Sequence, residues 1–301
     1  MGRSLKATIE SVLHQDYPRI EYIVIDGGSS DGTLEILEGY RGRLRYSSGP
    51  DHGPPDAIHK GLAQASGEIL AWLNADDTYE PGAVRRAVEY LSSHQDVDVV
   101  YGDGWWITEE GKPISKYPSI PFDPRALERD CFICQPAAFL RTSSYKACPL
   151  DPGQKMSFDY DLWIRMAAQG IRFGYLQEHL ANTRMDQHAL TLSARDGVFR
   201  ASMDLLLRHF GYVPFSWVFG YTAFRIDGRD QFFEPLQPSL TKYLASLPLG
   251  LWYNRRKPFR YLGEWLRAPG QAIYNRRRSA SGGLAESGAE RPARGDKMSL
   301  R

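Results

Sequence analysis

Gly67-Glu68-Ile69-Leu70-Ala71-Trp72-Leu73-Asn74-Ala75-Asp76-Asp77-Thr78-Tyr79 is the stretch that decides the fold class of this 301-residue chain. The run from Ile69 to Leu73 is apolar throughout and too short for a free helix, which predicts a strand buried on both faces. Such a strand delivers Asn74, Asp76 and Asp77 to its carboxyl end, the edge where open α/β sheets bind ligands. Two adjacent carboxylates there suit a divalent cation held on a phosphorylated substrate. The same residues ahead of Pro81 also read as a plain turn that ends the strand and caps a helix from Pro81 to Leu91. Spacing alone leaves both readings standing.

Composition narrows the class. The chain is 42% hydrophobic and 24% charged, as soluble globular proteins are, and is long enough to bury a sizeable core. With 37 Lys and Arg against 36 Asp and Glu, no overall field favours nucleic acid. Three cysteines cannot form a disulfide framework. Cys131 and Cys134 make a lone C-x-x-C in a β-like run reaching Leu140, which favours buried thiols over zinc or redox chemistry. A reducing cytoplasm fits that usage, and no run approaches the roughly 18 apolar residues of a membrane span.

In chain order, Leu5, Ile9, Val12 and Leu13 share one helical face behind Ser4, and Ile20 to Ile25 follows as a strand. A doubly wound chain usually opens on a strand, whereas this one opens on a helix. Either a start site upstream of Met1 or a sheet lacking a strand is expected. Asp26-Gly27-Gly28-Ser29-Ser30-Asp31-Gly32-Thr33 is a glycine-rich turn into a helix reaching Tyr40, whose free amides could meet a phosphate. Leu44 to Ser47 is a short strand. A stiff polar loop from Gly49 to Asp56 then leads into a helix over Ala57 to Ala65 that carries Lys60.

Five ordered blocks together are similar to glycosyltransferase family 2: Ser11 to Pro18, Glu21 to Thr33, Pro50 to Gly53, Asp56 to Gly61, and Gly67 to Asp77. The resemblance spans about residues 4 to 195. It implies an α/β chain of the GT-A type, with a mostly parallel sheet flanked by helices and lacking the usual first strand. A nucleotide-sugar half would occupy about 1–104 and an acceptor half about 105–195. It also implies Mg²⁺ or Mn²⁺ as cofactor, with Asp77 resembling the metal-holding acid and Asp76 its partner beside the ribose and diphosphate. A cation there stabilises charge developing on a leaving nucleotide diphosphate. Asp26 falls where the family contacts the base, although many members carry a second Asp where this chain has Gly27. Asp56 and Lys60 belong to the same donor-side blocks.

Further residues complete the expected site. Gln135 sits in a Cys-Gln-Pro-Ala stretch that resembles the family's acceptor-side strand. Trp105 and Trp106 could stack on a sugar or simply pack. Asp159 and Asp161 sit at a helix start, where the helix dipole alone would account for both. The resemblance to the family's Glu-Asp-x-x-Leu-Trp block ranks Asp159 as catalytic base and leaves Asp161 on the acceptor side, with Phe158 in place of the Glu. Arg184 is carried over as a donor contact. His188 is carried over as a metal ligand, although Asp186 occupies the family's usual histidine position.

Beyond residue 195 an aromatic, helical extension runs to 278. In 251–278, six aromatics interleave with eight Arg and Lys against Glu264 alone. Such a segment either lies in an anionic membrane interface or packs on the protein body. Residues 279–301 have the composition of a disordered tail. The expected activity is metal-assisted, inverting transfer of a sugar from a nucleotide-diphosphate donor to a hydroxyl of a glycan or lipid-linked acceptor, in surface polysaccharide synthesis. The expected place is the cytoplasm, peripheral to the inner membrane face. Two alternatives are a truncated, non-catalytic nucleotide-sugar-binding or interaction module and a nucleotidyltransferase releasing pyrophosphate.

Overall fold

The computed structural model describes residues 2–185, 189–228 and 237–269. Helix α1 (Gly2–Leu13) opens the chain, and strand β1 (Ile23–Asp26) follows. Helix α2 (Thr33–Glu38), strand β2 (Arg45–Ser48) and helix α3 (Pro54–Gln64) lead to the short strand β3 (Ile69–Leu70). The N-cap of α2 is Gly32 in the left-handed conformation, at φ 85°, rather than a serine or aspartate side chain.

The sheet is in two pieces. Strands β1 and β2 pair in parallel as a separate ribbon. The larger sheet runs β3, then β7 (Ala138–Arg141), β5 (Val99–Ile107), β8 (Phe173–Arg184) and β4 (Thr78–Tyr79), with β6 (Pro113–Lys116) as a hairpin on β5. Pairing is parallel between β5 and β8 and antiparallel at β3–β7, β5–β7, β4–β8 and β5–β6. Among the described residues no strand pairs along the free edges of β1 and β3. Both edges front one cleft instead, lined by Ile23, Ile25, Ile69 and Leu73 among others. Its base is tied where the Glu21 carboxylate accepts from the Ser66 amide at 2.7 Å and the Ser66 hydroxyl at 3.0 Å.

Strand β3 is therefore shorter than the apolar run suggests. Leu70 and Trp72 are buried, while Ile69, Ala71 and Leu73 are half-buried and line the cleft. One face packs on Trp163, with the Trp72 ring stacked at 5.8 Å, and the other packs on the cluster that includes Val12, Tyr79 and Phe139, so the part left without a partner strand among the described residues is an edge. Similarly, the C-x-x-C run is only partly strand. Pro136 cannot donate to a ladder, so Gln135–Ala137 forms a 3-10 turn before β7 begins. Cys131, Cys134 and Cys148 are all free.

Helix α4 (Ala83–Ser93) packs beside β5 and β8, and α5 (Thr142–Ala147) follows β7. Helix α6 (Phe158–Ala168) buries Trp163 and Leu162 in the main core. After the turn α7 (Leu190–Ser193) come α8 (Arg195–Phe210), α9 (Phe215–Asp227), α10 (Leu240–Tyr253) and a last helix over 258–269. These form their own core around Phe199, Tyr212, Tyr253, Tyr261 and Trp265. Tyr261 lies so close to α10 that a Cβ on Gly250 would fall 1.9 Å from its ring. The tail from 270 lies outside the described residues.

Candidate active site

The cleft between the two sheet pieces has a volume of about 2150 Å³ and gathers side chains from distant parts of the chain. Asp26, Asp76, Asp77, Trp106, Gln135, Asp159 and Arg184 all line it. Asp56, Lys60, Trp105 and Asp161 do not. His188 lies outside the described residues.

The turn after β3 is held from several sides. Asp77 is buried, with one carboxylate oxygen accepting from the Arg184 amide at 3.1 Å and the other from the Asn74 side-chain amide at 3.0 Å. Burial, with Asp76 beside it, drives its pKa well above the ordinary carboxylate range, so the pair favours any arriving cation. Asp76 is half-buried and the more accessible of the two. Gln135 is buried, donating to the Trp72 carbonyl at 2.8 Å and accepting from Asn74 at 3.2 Å. Its polar atoms thus fix the turn from within. Arg184 is likewise turned inward: its guanidinium donates to the carbonyls of Asp76 at 3.0 Å, Thr108 at 3.0 Å and Glu109 at 2.5 Å.

Asp76 and Asp77 offer hard oxygen donors that fit Mg²⁺ or Mn²⁺. Among the described residues no cluster of three or more acids, histidines or cysteines could cage a metal. Two carboxylates, with substrate phosphates and water supplying the remaining positions, match how Mg²⁺ is ordinarily held.

Asp26 ends β1 and accepts from the Gly28 amide at 3.1 Å, the Ser29 amide at 3.0 Å and the Ser48 hydroxyl at 2.5 Å. Burial pushes its pKa up, but these hydrogen bonds outweigh it and hold the carboxyl below its usual range. A Cβ on Gly27 would come within 2.6 Å of an Asp51 carboxylate oxygen, so Asp51 fills the space a second aspartate would need. The sequence signal for this was the Pro50-Asp51-x-Gly block, which spacing could not place against Gly27.

Asp159 occupies the first turn of α6, behind Ser157 at φ 52°, the one non-glycine residue with positive φ among those described. The Ser157 hydroxyl is anchored to that of Ser202 on α8 at 2.8 Å. Burial raises the Asp159 pKa, and no cation pairs with its carboxylate among the described residues. Burial raises the Cys134 pKa, and the charges of Asp77 and Asp159 push it the same way.

The residues left outside have their own partners. Asp161 is buried between α6 and α8, accepting from Arg165 at 2.6 Å and His209 at 2.9 Å. Asp56 pairs with Lys60 at 2.9 Å on α3. Neighbouring strand residues point to opposite faces, so Trp106 lines the cleft and meets Tyr117 while Trp105 meets His179 on the far side. Arg195, not singled out by sequence reasoning, adds a buried cation to the cleft with its guanidinium 4.2 Å above the Phe199 ring.

A family model described as Glycosyl transferase family 2 matches residues 2–146. The chain named Putative glycosyltransferase EpsE, of Bacillus subtilis (strain 168), is 30% identical over 200 residues, covering 62% of this chain and 70% of that one. The chain belongs to glycosyltransferase family 2. Among solved structures, this glycosyltransferase is similar to S. aureus TarS in complex with UDP-GlcNAc, with a TM-score of 0.57, 17% identity, and coverage of 83% of this chain and 78% of that one. It is also similar to the mannosyltransferase PcManGT of Pyrobaculum calidifontis in complex with GDP-Man and Mn²⁺, with a TM-score of 0.52, 17% identity, and coverage of 95% and 77%. These likenesses establish the GT-A type of α/β fold for this family 2 enzyme, with its C-terminal helices present.

Proposed function

We propose that this glycosyltransferase moves a sugar, with inversion, from a nucleotide-diphosphate donor to a hydroxyl of a glycan or lipid-linked acceptor in surface polysaccharide synthesis. The observation that carries the reading is the shared cleft of the Asp76–Asp77 turn and Asp159. Asp26, at the end of β1, and Asp51, in the loop after β2 and beside Gly27, would read the base. Asp76 and Asp77 would hold Mg²⁺ or Mn²⁺, which when bound neutralises charge on the departing diphosphate. Arg195 adds positive charge to the same space, while Arg184 and Gln135 hold the acid turn in place.

Asp159 takes the proton of the acceptor hydroxyl. The acceptor oxygen forms a bond to the anomeric carbon as the bond from that carbon to the diphosphate oxygen breaks, and the electron pair leaves with the nucleotide diphosphate. Burial suits Asp159 to this task, because a raised pKa makes it a stronger base once ionised. The Ser157–Ser202 contact fixes its helix start. The test is release of nucleoside diphosphate from a panel of nucleotide sugars with Mn²⁺, for the wild type, Asp77→Ala and Asp159→Asn. Turnover that survives both substitutions would sink the assignment, and release of pyrophosphate would replace sugar transfer with nucleotidyl transfer.

A further inference from the structure

The aromatic, basic C-terminal segment divides cleanly into an inner and an outer set. Tyr243, Tyr253, Tyr261 and Trp265 face inward, with Tyr243 and Trp265 stacked at 4.0 Å. Turned away from that core, α10 presents Leu244, Ala245, Pro248 and Trp252, a run at helical spacing with no charge in it. Leu240 extends that face at the helix start. On the following helix Phe259 and Leu266 are exposed, one turn-pair apart. Of the eight large hydrophobics exposed among the described residues, five lie here: Leu240, Leu244, Trp252, Phe259 and Leu266, with Phe259 at 85% and Trp252 at 62%. Scattered apolar residues need no explanation, but a concentration on two adjoining helices does.

Charge identifies what covers it. Arg255, Arg256, Lys257, Arg260 and Arg267 lie between or beside these side chains. Lys257 donates to the Phe210 carbonyl and Arg260 pairs with Glu128, whereas Arg255, Arg256 and Arg267 are exposed and meet no carboxylate among the described residues. The sole acid of the segment, Glu264, is turned inward to accept from the Phe215 amide at 3.1 Å. No described helix is long and apolar enough to cross a membrane.

We propose that this outer face, carried by α10 and the helix over 258–269, docks the enzyme on an anionic lipid surface. Trp252, Phe259 and Leu266 enter the headgroup boundary while the unpaired arginines meet lipid phosphates. The inference is independent of the proposed reaction, since none of these residues lines the cleft.

The test is flotation of the full chain with vesicles of phosphatidylcholine alone and of phosphatidylcholine mixed with phosphatidylglycerol, at low and high salt. Three unpaired arginines near such a surface correspond to a preference for the anionic vesicles on the order of 100-fold, weakened by salt. The triple variant Trp252→Ser/Phe259→Ser/Leu266→Ser should lose most of the bound fraction, and so should Arg255→Ser/Arg256→Ser/Arg267→Ser. Both should keep the wild-type melting temperature and donor turnover. Phe259→Ser alone, at an almost wholly exposed position, still reads the apolar contribution should the triple variant fail to fold. Equal binding to neutral and anionic vesicles would overturn the proposal, as would undiminished binding by Phe259→Ser and the apolar triple variant. A lipid-independent dimer in sedimentation velocity that dissociates in the triple variant would assign the face to a second copy of the chain instead.

Discussion

Replacing Arg184 with alanine separates a residue that holds the site from one that binds substrate. Its guanidinium is the shared donor to three backbone carbonyls, those of Asp76, Thr108 and Glu109, and so ties the acid turn to the end of β5. Hydrogen bonds from a charged donor are worth about 1.5–3 kcal/mol each, and water entering from the cleft recovers part of that after truncation. A net loss of about 3–5 kcal/mol follows, comparable to breaking a buried ion pair. Against a total stability of about 5–15 kcal/mol this is a large fraction. At about 2 °C per kcal/mol for a chain of this size, the melting temperature should fall by about 6–10 °C. Arg184→Lys, a point charge able to serve fewer carbonyls, should fall between alanine and wild type. The measurement is thermal unfolding by circular dichroism, with and without Mn²⁺ and donor, beside steady-state kinetics. If Arg184→Ala melted within about 2 °C of wild type and only the donor KM rose, the clamp would be wrong and Arg184 would be a donor ligand.

Asp159→Asn should lower turnover by about 10²–10⁴-fold without loss of stability at neutral pH. The sign follows from its raised pKa: the folded chain holds that proton more tightly than the unfolded one, so ionised Asp159 opposes folding once pH rises through the folded value. For the same reason the wild-type kcat/KM should fall as pH drops through that raised pKa, a limb absent from the residual activity of the variant. Asp161→Asn should do the converse, costing about 3–5 kcal/mol by breaking the buried contact with Arg165 and His209 while sparing turnover per folded molecule. Gly104→Ala places a Cβ 2.2 Å from the Cys134 sulfur and should destabilise by about 1–3 kcal/mol, read by urea unfolding. Gly27→Asp should displace the Asp51 carboxylate and change which nucleoside diphosphate most raises the melting temperature.

The turn after β3 and the helix start at Asp159 were legible as local structure, from an apolar run ending in Asn-Ala-Asp-Asp and from helical spacing, whereas the chemical roles expected of their acids came from the resemblance to family 2. What was not legible was how polar groups divide between building the site and facing it. Gln135 and Arg184 look like ligand contacts in one dimension, yet their partners lie 61 and 108 residues away. Only the folded chain brings Trp72, Asn74 and Asp76 against them. Asp161 was ambiguous for a related reason, since His209 reaches it from a helix 48 residues on. One of Trp105 and Trp106 could have been set aside beforehand, because strand alternation lets only one of two adjacent tryptophans face a given side, and the folded chain shows it to be Trp105. Strand β3 read as fully enclosed because an apolar run does not reveal that one of its edges has no partner strand among the described residues. The 251–278 segment was read as either membrane-facing or packed, and within 251–269 one side of the helices packs on the protein body while the other is exposed.

The separation of β1 from β3 has a mechanical consequence for donor binding. Asp26 hangs from one lip of the gap and Asp76 from the other, with no ladder of peptide hydrogen bonds among the described residues fixing their spacing. On the proposed reaction, a nucleotide gripping both lips would act as a crossbar, and part of its binding energy would go into setting the width of the opening. Whatever braces the two ribbons would relieve the ligand of that work and tighten its hold.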